Sequence, residues 1–167
     1  MGSTLIVDNI QGATTAANVK MPAGAVLQVI QAHTTTETSI NSGERAYSDV
    51  GGMTASITPK YSDSKVLIRI MVSYYQTAHS DCGALRILRG STDIYSDIHN
   101  VGYTGGNGQS GGVATFEYLD SPSTTSATTY KLQAARNYGA SSAQFVVNTT
   151  FDSQATGSSI TLMEIAG

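Results

Sequence analysis

The residues Asp93, Tyr95, Asp97 and His99 form the arrangement in this sequence that is closest to a metal site. They alternate along one predicted strand, so they share one face, and three of them could be ligands. Same-face positions on a strand lie about 6.6 Å apart. The two ends of the row are therefore too far apart to share one small ion unless the strand bends. We interpret the row as a solvated outer face and predict no metal.

The segment HSDC places His79, an aspartate and the single cysteine, Cys82, within four residues. It lacks the second ligand pair, such as CxxC or HxxxH, that structural zinc sites contain. One cysteine also excludes a disulfide framework within one chain. We interpret this segment as a loop and Cys82 as a buried or inert thiol.

Catalytic signatures are missing as well. Nucleophilic catalysis needs a serine or cysteine, a histidine and an acid in contact, and the sequence contains no GxSxG motif. Distant carboxylates could still meet in space, but the sequence singles out no pair. The glycine-rich segment 102–112 lacks the Lys-Ser/Thr ending of a phosphate-binding loop. We predict no enzyme activity and no cofactor.

Charge limits the partners. Charged residues make up 13% of the chain, its net charge is -3, and its nine basic residues are scattered. Nucleic-acid binding requires a basic stripe, so we predict no binding to nucleic acid. Arg86 and Arg89 form the one close basic pair, which we interpret as exposed strand charges rather than a phosphate clamp.

No secretory signal and no apolar run of about 20 residues is present. We therefore predict no membrane insertion.

Apolar and polar residues alternate with period 2 through most of the chain, and no segment sustains a period of 3.6. Turn residues separate the alternating segments, as at Ser42-Gly43, Gly51-Gly52 and Gly90-Ser91. This pattern predicts an all-β fold, an antiparallel jelly-roll-like β-sandwich with an extended N-terminal arm. Strands are predicted at 26–36, 53–59, 65–76, 84–90, 93–99, 112–120, 128–136, 143–151 and 158–166, with a further candidate at 44–50.

The predicted strand 65–76 has apolar residues on both faces. Ile70 belongs to one face, and Leu67 and Met71 belong to the other. We therefore expect this strand to be central and covered on both sides.

The chain divides into an arm at 1–23 and a β-domain at 24–167. The arm has too few large apolar side chains to build its own core, but it could add a strand to the sheet edge of a neighbouring protein. Its candidate partner-binding residues are Leu5, Ile6, Val7, Ile10 and Val19.

Tyrosines outnumber phenylalanines by nine to three. This excess is consistent with contact surfaces and equally with ordinary β-propensity. Tyr103, in the glycine-rich loop, and Tyr138 are the candidates for surface recognition.

Several segments resemble virion proteins of tailed phages, especially the fibre and head-decoration proteins of marine and cyanobacterial phages. These segments are STLIVDNIQGATTAANVKMPAG, SITPKYSDSKVLIRIMV, YLDSPSTTSATTYKLQAA and SSITLMEIAG. Together they cover most of the chain. The resemblance implies a homotrimeric module similar to tumour-necrosis-factor-like knobs, attached to a virion by its N-terminal segment.

The β-domain follows the arm directly, without the stalk that long fibres contain. This favours a capsid decoration protein or a short head or tail fibre, assembled in the host cytoplasm. Its expected partners are two sister subunits and either the major capsid protein or a tail or portal-proximal protein. The alternative is a tail-fibre module that binds a host receptor or surface glycan.

Overall fold

The computed structural model describes residues 21–77, 82–103, 108–138, 144–151 and 154–167. These residues form twelve β-strands and no helix long and apolar enough to cross a membrane. The strands are β1 (Val26–Thr34), β2 (Thr38–Ile40), β3 (Ser48–Ile57), β4 (Lys65–Gln76), β5 (Cys82–Arg89), β6 (Thr92–Val101), β7 (Ser110–Asp120), β8 (Thr128–Tyr138), β9 (Phe145–Val147), β10 (Thr150–Phe151), β11 (Gln154–Ala155) and β12 (Ser158–Ile165).

Two antiparallel sheets form the predicted jelly-roll-like sandwich. The six-stranded sheet has β4 at its centre: β7 pairs along one edge of β4, and β12 and then β9 pair along the other. β1 extends this sheet beyond β12, and β2 extends it beyond β9. The four-stranded sheet has the order β3-β8-β5-β6. β10 and β11 form a separate hairpin.

The core lies between the two sheets, and β4 confirms the period-2 pattern. Its alternate residues Val66, Ile68, Ile70 and Val72 are fully buried. They pack with Leu132 and other core residues of the four-stranded sheet. Burying a side chain of this size contributes about 1.5–3 kcal/mol, so this row is a main source of the fold's stability.

Gly51 and Gly52 lie inside β3, so the predicted turn between two strands is wrong. The register of β3 against β8 shifts between Asp49 and Thr54, as in a β-bulge. Gly52 has φ +76, and a Cβ on it would lie 2.6 Å from Thr34 Cβ. Glycine is needed here because the strand bends against β1. The candidate strand 44–50 and the strand 53–59 are therefore parts of one element.

The predicted strand 143–151 is also wrong as a single element. Asn148 has φ 58, which ends β9 before β10 begins. Its side chain is buried: Nδ2 donates a hydrogen bond to Thr36 O (3.1 Å), and Oδ1 accepts one from Ser158 Oγ (2.6 Å). These bonds compensate for the strained backbone. The short strand β2 was not predicted at all.

The glycine-rich loop is shorter than predicted. β6 continues to Val101 and β7 begins at Ser110, so Gly111 and Gly112 belong to a strand. The predicted boundary between the arm at 1–23 and the β-domain at 24–167 stays a prediction. The Gly24 N–H donates to Ala166 O (2.8 Å), immediately before β1. Residues 1–20 of the predicted arm lie outside the described residues.

Candidate interaction surface

The outer face of the six-stranded sheet, turned away from the core, carries a row of apolar side chains. We call these residues the apolar row; they lie side by side on β1, β12, β4 and β7, and they are Val29, Met163, Leu67 and Leu119. Val29 is 54% exposed and Leu119 is 48% exposed. Large apolar side chains exposed as a contiguous group mark interaction sites in soluble proteins.

A polar row of four residues lies beside the apolar row: Gln31, Thr161, Arg69 and Glu117. Its members pair with one another across strands. Gln31 Nε2 donates to Thr161 Oγ1 (2.9 Å), and Arg69 Nε lies 3.3 Å from Glu117 Oε1. The face therefore presents apolar groups next to polar groups whose charges are balanced.

The third row on this face contains Ser159, Met71 and Thr115, and a depression of about 300 Å³ separates it from the polar row. Met71 is 37% exposed. The prediction that β4 is covered on both sides is therefore wrong for one chain, because no second layer of described residues covers its outer face.

The outer face of the four-stranded sheet differs, because its charges form a closed network. Asp49 accepts hydrogen bonds from Lys131 Nζ (2.9 Å) and Gln133 Nε2 (2.6 Å). Arg86 Nε donates to Gln133 Oε1 (2.8 Å), and Arg86 Nη1 lies 3.3 Å from Asp93 Oδ2. The hydrogen bonds from Gln133 and Lys131 outweigh the opposing effect of burial and hold the pKa of Asp49 below its ordinary value. This face is suited to contact with water.

Both arginines of the close basic pair bind carboxylates. Arg86 pairs with Asp93, and Arg89 Nη1 lies 2.9 and 2.8 Å from the two carboxylate oxygens of Asp120. Asp120 is 6% exposed. These contacts favour the interpretation as strand charges over a phosphate clamp.

An aromatic cluster occupies the open side of the sandwich between the edge strands β6 and β7. Tyr95 stacks on Tyr118 with ring centroids 5.1 Å apart, and it lies 6.3 Å from Phe116. All three rings are only partly buried and pack against the core. β7 therefore contributes apolar side chains to two surfaces. Phe116 and Tyr118 belong to the aromatic cluster, and Leu119, on the outer face, belongs to the apolar row.

The interpretation of Asp93, Tyr95 and His99 as one solvated face is wrong for Tyr95. Asp93 pairs with Leu88, whereas Tyr95 pairs with Ile87. The extra residue between them is a β-bulge, which reverses the alternation and turns Tyr95 toward the core. Across the described part of the chain, no group of three His, Cys, Asp or Glu side chains is placed to hold a metal ion.

Cys82 is fully buried at the start of β5, as predicted for a buried thiol, although it lies in a strand and not in a loop. Its Sγ lies 3.4 Å from Asn100 Oδ1 and 3.6 Å from Asn137 Nδ2. The remainder of the HSDC segment, including His79, lies outside the described residues. The thiol therefore contacts the side-chain amide groups of Asn100 and Asn137.

The predicted recognition residues are only partly described. Tyr103 is 51% exposed, just beyond the end of β6. Tyr138 is the last residue of β8 and pairs with Cys82, while Val101 pairs with Gly83. The structure thus brings the backbones of both positions to one end of the four-stranded sheet. The side chain of Tyr138 lies outside the description, as do all the predicted arm residues: Leu5, Ile6, Val7, Ile10 and Val19.

Sequence reasoning missed the apolar row, because its members are far apart in the chain. Leu67 and Leu119 become neighbours only through the register of β4 with β7. The available signal is the second apolar face of β4, but the sequence alone does not identify Val29 or Leu119 as neighbours of that face.

No protein-family model and no curated protein matches this sequence. Among solved structures, the infectious bursal disease virus VP2 subviral particle matches with a TM-score of 0.49 and 11% identity over 84% of this chain. A structure of the infectious bursal disease virus Gx strain matches with a TM-score of 0.49 and 12% identity over 85% of this chain. This chain spans 33% of the length of each.

Proposed function

We propose that this chain is a structural protein of a tailed-phage virion, either a homotrimeric capsid decoration protein or a short head or tail fibre. It acts by binding and not by catalytic turnover. The resemblance of its sequence segments to phage virion proteins supports its assignment to a virion. The contrast between its two sheet faces supports a binding role.

The apolar row is the observation that carries this proposal. Only 13% of the residues are charged. The charges on the outer face of the four-stranded sheet are paired, whereas Val29 and Leu119 on the outer face of the six-stranded sheet are about half exposed. An exposed apolar face is costly for a monomer and useful for an assembly. Sister subunits cover this face, and the partly buried aromatic cluster beside β7 extends the contact.

The arm at 1–23 anchors the trimer to the particle. Fully extended, 23 residues reach roughly 75 Å, which is enough to cross a neighbouring subunit. Leu5, Ile6, Val7 and Ile10 add a strand to the sheet edge of a virion protein, where main-chain hydrogen bonds supply affinity. That partner is the major capsid protein or a tail or portal-proximal protein.

Electron microscopy of purified particles labelled with gold-conjugated antibody against this chain tests the proposal. Label spread over the head identifies a decoration protein, and label clustered at the tail identifies a fibre. The matched control is a particle preparation from a phage that lacks the gene. Particles that carry no label above this control contradict a virion role.

A second candidate function is host adsorption through a surface glycan or receptor. Tyr103 supports it, because a half-exposed tyrosine at a loop is typical of contact surfaces. Purified protein that blocks phage adsorption to host cells supports this role, and the Tyr103→Ala variant tests whether this loop is responsible.

A further inference from the structure

His33 extends the third row of the outer sheet face onto β1. It pairs directly with Ser159, which in turn pairs with Met71 on β4. Directly paired residues project from the same side of a sheet, so the histidine lies on the face that carries the apolar row. The residue is exposed in the single chain. A sister subunit that covers this face, as proposed above, would therefore also cover His33.

The imidazole ring lies against the backbone at the turn before β12. A Cβ on Gly157 would lie 2.6 Å from His33 Nε2. A residue larger than glycine at position 157 would therefore displace the ring. The close contact gives the imidazole a defined place at the β1 end of the third row.

No described carboxylate forms an ion pair with His33. The adjacent strand β12 turns no ionisable side chain to this face; its outward residues are Ser159, Thr161, Met163 and Ile165. The described residues of the β10–β11 hairpin carry no charge. Glu37 follows β1 in the connection to β2 and is exposed. The surroundings of the imidazole on its own sheet are therefore uncharged.

The other ionisable groups of this face lie farther across the sheet. β4 contributes Lys65, Arg69 and Tyr75, and β7 contributes Glu117. Neighbouring strands lie about 4.8 Å apart, which puts β4 about 10 Å and β7 about 14 Å from β1. Glu117 already pairs with Arg69 (3.3 Å). A charged His33 would therefore be covered without a counter-ion from the described part of its own chain.

Histidine is the side chain whose charge ordinarily changes between pH 5 and 8. A neutral imidazole can be covered at a modest cost, whereas covering an unpaired charge is much more costly. Protons therefore favour the free chain over the assembly, and association weakens as the pH falls. We propose that His33 is a pH-sensitive switch of the trimer, which assembles at neutral pH and dissociates in mild acid. This inference rests on the proposed function, because it requires sister subunits on this face.

Sedimentation equilibrium of the full chain at about pH 7.5 and at about pH 5.5 tests the switch. Circular dichroism at both pH values checks that each protein stays folded. The parent should be a trimer at the higher pH and should associate at least about tenfold more weakly at the lower pH. His33→Gln, which keeps a neutral polar side chain, should stay a trimer at both. His33→Lys, which carries a permanent charge, should associate weakly at both.

His99→Gln is the matched control, because His99 is an exposed histidine on β6 of the other sheet. This variant should respond to pH as the parent does. A parent trimer that is equally stable at both pH values overturns the switch and leaves the proposed assembly intact. A His33→Gln protein that dissociates in acid like the parent does the same. A monomer at both pH values overturns the assembly itself, and the switch with it.

Discussion

Arg69 on β4 lies directly opposite Glu117 on β7, and their side chains form an ion pair (Nε to Oε1, 3.3 Å) beside the apolar row. The two side chains are 59% and 53% exposed, so the pair contributes only about 0–1 kcal/mol to a single chain. Under a neighbouring subunit the same pair would lose its water, and an unpaired charge there would become costly.

Glu117→Lys should therefore weaken the oligomer and leave the fold of each chain intact. The variant places two cations opposite each other on the proposed interface, and like charges at this position repel. Sedimentation equilibrium measures the change as a shift toward monomer. Glu117→Gln, which removes the charge without adding repulsion, is the matched control and should shift less. An unchanged mass distribution in Glu117→Lys would place the interface elsewhere.

Neighbouring residues on β4 should respond oppositely to the same substitution. Ile70 is fully buried, so Ile70→Asp buries a carboxylate without a partner, and we expect the protein not to fold in soluble form. Met71 points to the outer face and is 37% exposed. Met71→Asp should stay folded but lose oligomer. Soluble yield and circular dichroism check both, and a soluble, folded Ile70→Asp would contradict the core described above.

The stability of the fold should fall in acid through Glu164, which is fully buried. Burial alone raises its pKa, but hydrogen bonds from Gln28 and the backbone N–H groups of Lys60 and Tyr61 outweigh this and hold the pKa below its ordinary value of 4.5. A lowered folded-state pKa stabilises the fold above pH 4.5. That contribution is lost as the pH falls through the folded-state pKa.

Glu164→Gln should cost about 1–3 kcal/mol at neutral pH, because the new amide N–H would face donors. The donors are Gln28 Nε2 at 2.6 Å and the Lys60 N–H at 2.7 Å. The variant should also lose stability less steeply below pH 4.5 than the parent does. Urea unfolding at several pH values measures both effects, with Glu117→Gln as the exposed control. Parallel pH profiles for the parent and Glu164→Gln would exclude this carboxylate as the cause.

Tyr130→Phe should destabilise the fold by about 1–3 kcal/mol, because it removes a donor from a buried carboxylate. Tyr130 Oη donates to Asp120 Oδ2 at 2.7 Å, and Arg89 binds the same carboxylate. Burial, then the hydrogen bond to Asp120 and the negative charge of that carboxylate, raise the pKa of Tyr130, so its hydroxyl stays protonated as a donor. Tyr118→Phe, which keeps its ring stacking, is the control. Equal unfolding midpoints for the two variants would refute the role of this bond.

Deletion of residues 1–23 should leave a folded oligomer that no longer joins particles. Gly24 donates the first described backbone bond to a distant part of the chain, Ala166 O, and the described core residues all follow that position. The assay compares incorporation of the full chain and the deletion variant into particles that lack this protein. Leu5→Asp together with Val7→Asp is a milder variant of the same test. Normal incorporation of the deletion variant would end the anchoring hypothesis.

Local alternation was enough to predict the fold class and the bounds of β4, which match the structure at both ends. Such alternation works where a strand keeps one face in the core throughout its length. It fails at bulges: one extra residue turns Tyr95 inward, and the positive φ of Gly52 keeps β3 continuous where a turn was predicted. These features depend on contacts with other strands, which the local sequence does not contain.

The candidate interaction surface depends even more on tertiary register. Leu67 was recognised as part of a second apolar face, but its neighbour Leu119 is 52 positions away in the sequence (119 − 67) and reaches it only through the pairing of β4 with β7. Sequence patterns identify such residues one by one, and the fold assembles them.

Light scattering on the purified full chain, coupled to size-exclusion chromatography at micromolar concentration, tests the proposed assembly most directly. If the apolar row and the edge of β7 form a threefold interface, the measured mass is that of three chains of 17.4 kDa. A stable monomer at that concentration, with Val29 and Leu119 left in water, would contradict it.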